Sequence, residues 1–237
     1  MNALAGGGSF VSLPALIACG IPSVQANASS TVALFPGGVA STWAYRDGLG
    51  PIGPVRLRSL LLTTVAGGVM GALLLLRTSS ALFDLVLPWL LLASTLALNF
   101  GSKLGKWLRG RWRIRSAPIL FVQFMLGVYG GYFGGAVGIM MIAVWTLLDS
   151  RDLKSMSAPR TLLVSAANVT AVIIFVAARV VYWPQTVAML VSAAMGGYIG
   201  ARIGRCTPPG VIRVFTFSIT TTITAAFFVR AYGASLW

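Results

Sequence analysis

The sequence predicts an all-α, polytopic membrane protein: about eight membrane segments in two related, inverted repeats, each opening on a glycine-broken segment. Three observations carry this. Of 237 residues, 57% are hydrophobic and 9% charged, with a mean hydropathy of +0.86. Runs such as SLLLTTVAGGVMGALLLL and LVLPWLLLASTLALNF approach the ~20 residues that cross a bilayer core. The runs are continuous rather than alternating, which argues against a β-barrel. The whole chain, 1–237, reads as one membrane domain, with repeat one at 1–108 and repeat two at 115–237.

The first, broken segment covers about Met1–Ala18 and contains Gly6, Gly7, Gly8 and Pro14. Glycine disfavours a helix interior by roughly 1 kcal/mol and proline by about 3. Only five residues precede these glycines, so either the first half-helix is very short or the start codon is late. The second segment spans Val24–Tyr45, the third Leu60–Leu76 and the fourth Leu82–Phe100, followed by the basic connection GSKLGKWLRGRWRIRS. The fifth runs from Pro118 to Leu148, the sixth Thr161–Val181, the seventh Gln185–Gly204 and the eighth Val211–Val229. Trp43, Trp107, Trp112 and Trp183 fall near segment ends, where indole favours the interface.

The repeat shows as GGVMGA at Gly67–Ala72 returning as GGYIGA at Gly196–Ala201. At a shift of 130, Gly8 matches Gly138, Ala28 matches Ala158, Thr31 matches Thr161 and Val39 matches Val169. Orientation follows from the 18 Lys and Arg, which should collect on the cytoplasmic side. If the fifth segment crosses once, 11 lie inside; if it enters and turns back, 15 do. As one helix its 31 residues would span about 46 Å, against a ~30 Å core. Its centre, GVYGGYFGGAVG, holds six glycines in twelve residues. A glycine-broken hairpin is preferred, and a tilted crossing helix is the alternative.

Broken backbone is tolerated in a membrane where it is buried in protein or lines a watery cavity. Amides at a half-helix N-terminus bind anions without a charged side chain. The breaks at Gly6–Ser9 and Gly134–Gly138 occupy matching points of the two units, so Gly6, Gly7, Gly8, Ser9, Gly134, Gly135 and Gly138 are candidate binding positions. The two GG-x-x-GA motifs read instead as close helix packing. Polar residues cluster nearby: Gln25, Asn27, Ser29, Ser30 and Thr31 in one copy, and Ser157, Arg160, Thr161 and Asn168 in the other. Of these, Asn27, Ser30, Thr31, Arg160, Thr161 and Asn168 are candidate donors to an oxyanion. Helix capping is the competing reading. Arg160 either offers bidentate recognition or snorkels as an anchor.

The stretches NALAGGGSFVSLPALIACGIPSVQANASSTVALFPG and YGGYFGGAVGIMMIAVWTLL closely resemble the TauE/SafE sulfite exporter family, also called the toluene sulfonate uptake permease group. The resemblance runs through almost the whole chain. It implies a permease of seven to nine segments in a bacterial inner membrane, moving sulfite, sulfonates or other small organic anions. Related chains carry about ten more residues before the glycines. An anion channel and a non-transporting assembly subunit are the alternatives.

The chain has no His and no Glu, and Asp47, Asp149 and Asp152 lie in connections, with Asp84 at the start of the fourth segment. No carboxylate relay, paired acids or metal cluster is visible, so neither an enzyme nor a cofactor or metal site is expected. The sequence predicts facilitated anion movement, or coupling through the substrate's own protonation. The net charge of +14 reads as topology signals and lipid anchors rather than nucleic-acid binding. The expected partners are a small anionic solute and membrane lipids, with a homodimer as a candidate assembly. Cys19 and Cys206 read as packing residues.

Overall fold

Apolar runs set the helices, and glycine and proline set where they stop. The computed structural model describes residues 8–52, 55–109, 116–145, 156–206 and 209–233. In order these form α1 (Ser9–Ala18), α2 (Ser23–Ala44), a 3-10 turn (Arg46–Gly48), α3 (Leu57–Arg77), α4 (Ser80–Arg109), α5 (Ser116–Tyr132), α6 (Val137–Trp145), α7 (Ser157–Ala177), α8 (Trp183–Cys206) and α9 (Pro209–Tyr232). Among the described residues, four stretches are long and apolar enough to cross a membrane: Leu57–Arg77, Ser80–Ala97, Ser157–Ala177 and Val214–Tyr232. With the shorter apolar helices, they make this a multi-pass helical membrane protein.

Helix ends differ from the sequence expectation in places, for local reasons. α7 starts at Ser157 rather than Thr161 because Pro159 fits its first turn, where a missing N–H costs nothing. It ends at Ala177 in a Schellman motif: Arg179 has φ 56°, and Val180 N–H donates to Phe175 O at 3.3 Å. α1 ends the same way through Gly20, φ 81°, which takes that conformation without strain. α4 continues through the expected basic connection to Arg109, since Lys, Leu and Arg are good helix formers. Beyond Arg109, the expected join between repeats lies outside the described residues, at 110–115, as does the end of the expected fifth segment.

The long fifth segment is two helices. α5 stops at Tyr132, Gly134 and Ala136 take φ of 77° and 56°, and α6 begins at Val137. α6 then runs back beside α5. Trp145 Nε1–H donates to Gln123 Oε1 at 3.1 Å, and Gln123 Nε2–H donates to Thr64 Oγ1 of α3 at 2.8 Å. In one straight helix Gln123 and Trp145 would be about 33 Å apart. Val137, Met141 and Trp145 share an apolar cluster with Ile52, Leu60, Ile119 and Leu163. A Cβ on Gly48, in the 3-10 turn after α2, would lie 3.2 Å from Ala158 Cβ in the first turn of α7. The ends of α2 and α6 and the starts of α3, α5 and α7 therefore gather together.

The other short helix, α1, sits in a separate cluster. Phe10, Leu13, Leu16 and Ile17 pack there with Leu75, Phe83, Phe175 and Val181. α3 and α5 approach backbone to backbone: a Cβ on Gly67 or Gly71 would overlap the α5 main chain between Phe124 and Tyr132, and one on Gly131 would overlap Gly68. The first GG-x-x-GA motif is thus a packing device. In the second motif a Cβ on Gly196 would meet nothing within 4 Å, and the side-chain surroundings of 197–200 lie outside the described residues. Cys19 is exposed rather than packed.

Candidate functional site

α2 presents Thr31, Leu34, Gly38, Ser41 and Tyr45 at alternating spacings of three and four, a single helical stripe. α7 presents two adjacent rows, Arg160 with Val164 and Thr161 with Ser165, and Asn168 one turn on. The two helices touch where Thr42 Oγ1 and Ser165 Oγ share a hydrogen bond of 2.8 Å, and where a Cβ on Gly38 would come 3.2 Å from Ser165 Oγ. Below that crossing the stripes part. They enclose a cavity of about 450 Å³, completed by Ser9 at the start of α1 and by Gly134 and residues 136–139 at the α5–α6 break.

The first turns of both short helices, α1 and α6, thus face one cavity. A first turn carries N–H groups without intrahelical acceptors and the positive end of the helix dipole. Arg160 lies across this region: a Cβ on Gly138 would be 3.3 Å from its Cγ and Cδ, so the absent side chain gives the arginine stem its channel. Thr31 Oγ1 and Asn168 Oδ1 converge on Gly134, at 3.9 and 3.8 Å from where its Cβ would be. Asn168 Oδ1 is buried and has no hydrogen-bond partner. Arg160 is the only charged residue among the described lining residues, and none of them is acidic.

Seven of the sequence-derived candidates meet here: Ser9, Thr31, Gly134, Gly138, Arg160, Thr161 and Asn168. Four others stand behind the lining. Gly8 is helical (φ −56°), and its carbonyl accepts from Val11 N–H and Ser12 N–H at 3.1 Å and Ser12 Oγ–H at 3.0 Å. Gly135 is buried, a Cβ there would overlap the Phe133 ring, and its carbonyl accepts from Ser94 Oγ–H at 3.3 Å. Asn27 Nδ2–H donates to Tyr132 O at 2.8 Å, tying α2 to the end of α5. Ser30 Oγ bonds Ser12 Oγ at 2.6 Å. Gly6 and Gly7 lie outside the described residues. The capping reading of the α2 polar run does not hold: α2 starts at Ser23, and Asn27, Ser30 and Thr31 are in its interior.

Sequence reasoning missed Ser41, Tyr45 and Ser165. The signal was present, because extending the three-four stripe from Thr31 along α2 reaches Ser41 and Tyr45. It also missed Ser94, whose hydroxyl bonds Tyr129 and Gly135 O and holds the break from α4.

The family model for the sulfite exporter TauE/SafE matches residues 1–227. The chain belongs to the TauE/SafE family. Relatives of this TauE/SafE protein carry transporter names. It is 25% identical over 238 residues to "Probable membrane transporter protein YfcA" of Escherichia coli (strain K12), covering 100% of this chain and 87% of that one. It is 28% identical over 233 residues to "Probable membrane transporter protein" of Haemophilus influenzae, covering 95% and 88%. It is 28% identical over 210 residues to "Probable membrane transporter protein ORF9" of Sinorhizobium sp., covering 86% and 76%. No solved structure matches it. The chain is thus a member of a membrane transporter family.

Proposed function

We propose that this TauE/SafE protein is a permease of a bacterial inner membrane that carries small anions, sulfite or organic sulfonates and carboxylates among them, through the cavity between α2 and α7. The observation that carries the reading is that the first turns of α1 and α6 and the Arg160 side chain all line one cavity, with no acidic residue among its described lining residues. An anion there meets dipole ends, the Ser9 hydroxyl and a guanidinium suited to a planar or tetrahedral oxyanion, while the Thr31, Ser41 and Thr161 hydroxyls donate to the carbonyls of Asn27, Gly37 and Ala158.

The duplication is read as inverted. α1 leads from the cavity toward Phe83 and Val181, and α6 leads from it toward Ile52 and Ile119, so the two short helices point to different ends. Inverted-repeat carriers hold substrate between such broken helices. The end gathering Arg46, Arg56 and Arg58 is the cytoplasmic one under the positive-inside rule.

The test is anion uptake into liposomes holding the purified protein, with thermal shifts across sulfite, sulfate, sulfoacetate, taurine and simple carboxylates. The expected result is saturable flux for the anions that raise the melting temperature. Flux that rises linearly with concentration would instead indicate a channel, and absent flux with absent shifts would leave the assembly-subunit reading standing.

A further inference from the structure

α2 carries a second polar feature that begins at the cavity and continues beyond it. Ser23, Asn27 and Thr31 are four residues apart and share one helical face. Thr31 lines the inner end of the cavity. Asn27, 1% exposed, is the next turn, and Thr31 Oγ1–H donates to its carbonyl at 2.9 Å. Ser23 is the turn beyond, and its Oγ–H donates to Ser80 O at 3.3 Å. The Tyr132 hydroxyl donates to Thr78 Oγ1 at 3.3 Å in the same region, the α3–α4 connection. The stripe therefore runs from the cavity to the end of α2 opposite Tyr45, which is 51% exposed at the cavity's mouth.

This stripe is embedded in apolar packing. Phe10, next to cavity-lining Ser9, is 0% exposed, and Phe133, next to cavity-lining Gly134, is 1% exposed. Both belong to the cluster that also holds Ala26, Ala28 and Tyr132. Gly135 leaves the space into which the Phe133 ring folds. An asparagine in such a place costs stability unless fully bonded, yet Asn27 Oδ1 has no partner. Intramembrane polar groups of this kind mark solute pathways.

We propose that the Ser23–Asn27–Thr31 stripe is the closed second half of the permeation path, and that its gate is the apolar cluster holding Ala26, Ala28, Phe10 and Phe133, which shuts it while the cavity opens at Tyr45. This rests on the cavity being the anion site. When the gate parts, Asn27 exchanges its bond to Tyr132 O for the passing solute or water, and the path opens at the α3–α4 connection.

The test is cysteine accessibility in sealed vesicles of both orientations, on the full chain with Cys19→Ser and Cys206→Ser. The probe is a membrane-impermeant cationic methanethiosulfonate, with no anionic solute present. Ser41→Cys should react only from the Tyr45 side, and Ser23→Cys and Asn27→Cys only from the opposite side. Adding Phe133→Ala should raise the rates of the stripe cysteines about tenfold by populating the open gate. Phe10→Ala serves the same purpose if Phe133→Ala does not fold, and Ser23→Cys serves if Asn27→Cys does not. Stripe cysteines that react from the Tyr45 side, or that stay silent in both truncations while Ser41→Cys reacts, would overturn the gate and leave the anion cavity intact. Because the readout is cysteine labelling, which releases only a trace of methanesulfinate, rather than anion flux, a failed flux experiment leaves this result independent.

Discussion

α1 and α6 are two short helices that begin at one cavity, and they are not chemically alike. Each is short, 10 and 9 residues, each starts at the cavity, and each is seated in its own apolar cluster. At the 130-residue shift, the Ser12–Ser30 pair of the first copy corresponds to Ile142 and Arg160 in the second. Where α1 is tied to α2 by two hydroxyls, α6 faces an arginine from α7 and is instead anchored by Trp145 to Gln123. The backbone ends at the cavity are alike in the two helices. The charge was placed on one side alone, which frees the other copy to hold its helix with neutral bonds.

The largest effect that can break this comparison comes from the glycines. Gly138→Leu places a side chain where Val164 Cγ2 lies 3.1 Å and Arg160 Cδ 3.3 Å from the Cβ position, and should abolish transport with folded protein remaining. Gly8→Leu should do the same. Normal flux in Gly8→Leu alone would confine the anion site to the second copy.

Arg160→Gln comes next. Losing a charge-assisted contact worth about 1.5–3 kcal/mol should raise the Michaelis constant of the carried anion about tenfold to a hundredfold. Arg160→Lys should recover part of it, because a point charge lacks the planar fork. An unchanged constant in Arg160→Gln flux assays would make the arginine a lipid anchor.

Anchoring is compared by stability. Trp145→Phe strands a buried Gln123 oxygen and should lower unfolding free energy by about 1–3 kcal/mol in a thermal melt. Ser12→Ala leaves Ser30 able to turn to its own helix, so its loss should be nearer 1 kcal/mol. A larger loss from Ser12→Ala would reverse which copy is the firmly held one. The smallest expected effect is none: Asp84→Asn should leave flux unchanged with no pH gradient, and abolished flux would restore a carboxylate relay.

The sequence revealed most where physics is local. A largely apolar segment of thirty-one residues with six central glycines is too long and too weak for one helix, so the hairpin of α5 and α6 was legible. So were the small and hydroxyl residues at the breaks, because few other roles place them in apolar runs. Less legible were partners fixed only by the folded arrangement. Nothing near Asn27 announces Tyr132 O, 105 residues away, and nothing near Gln123 announces Trp145. Gly135 looked like its neighbours Gly134 and Gly138, yet its missing side chain makes room for Phe133 rather than for a solute. Glycines in one run can be spared side chains for three different reasons.

The cavity wall, as described, offers one positive charge and no carboxylate. A solute crossing there without a companion proton carries its full negative charge through the electric field of the bilayer. Each 100 mV then contributes about 2.3 kcal/mol per charge. In a cell whose interior is negative, that voltage expels a monovalent anion and raises its outside-to-inside ratio about fiftyfold at equilibrium. Such a protein would need no fuel of its own to drive efflux, and uptake through it would demand a steep opposing gradient.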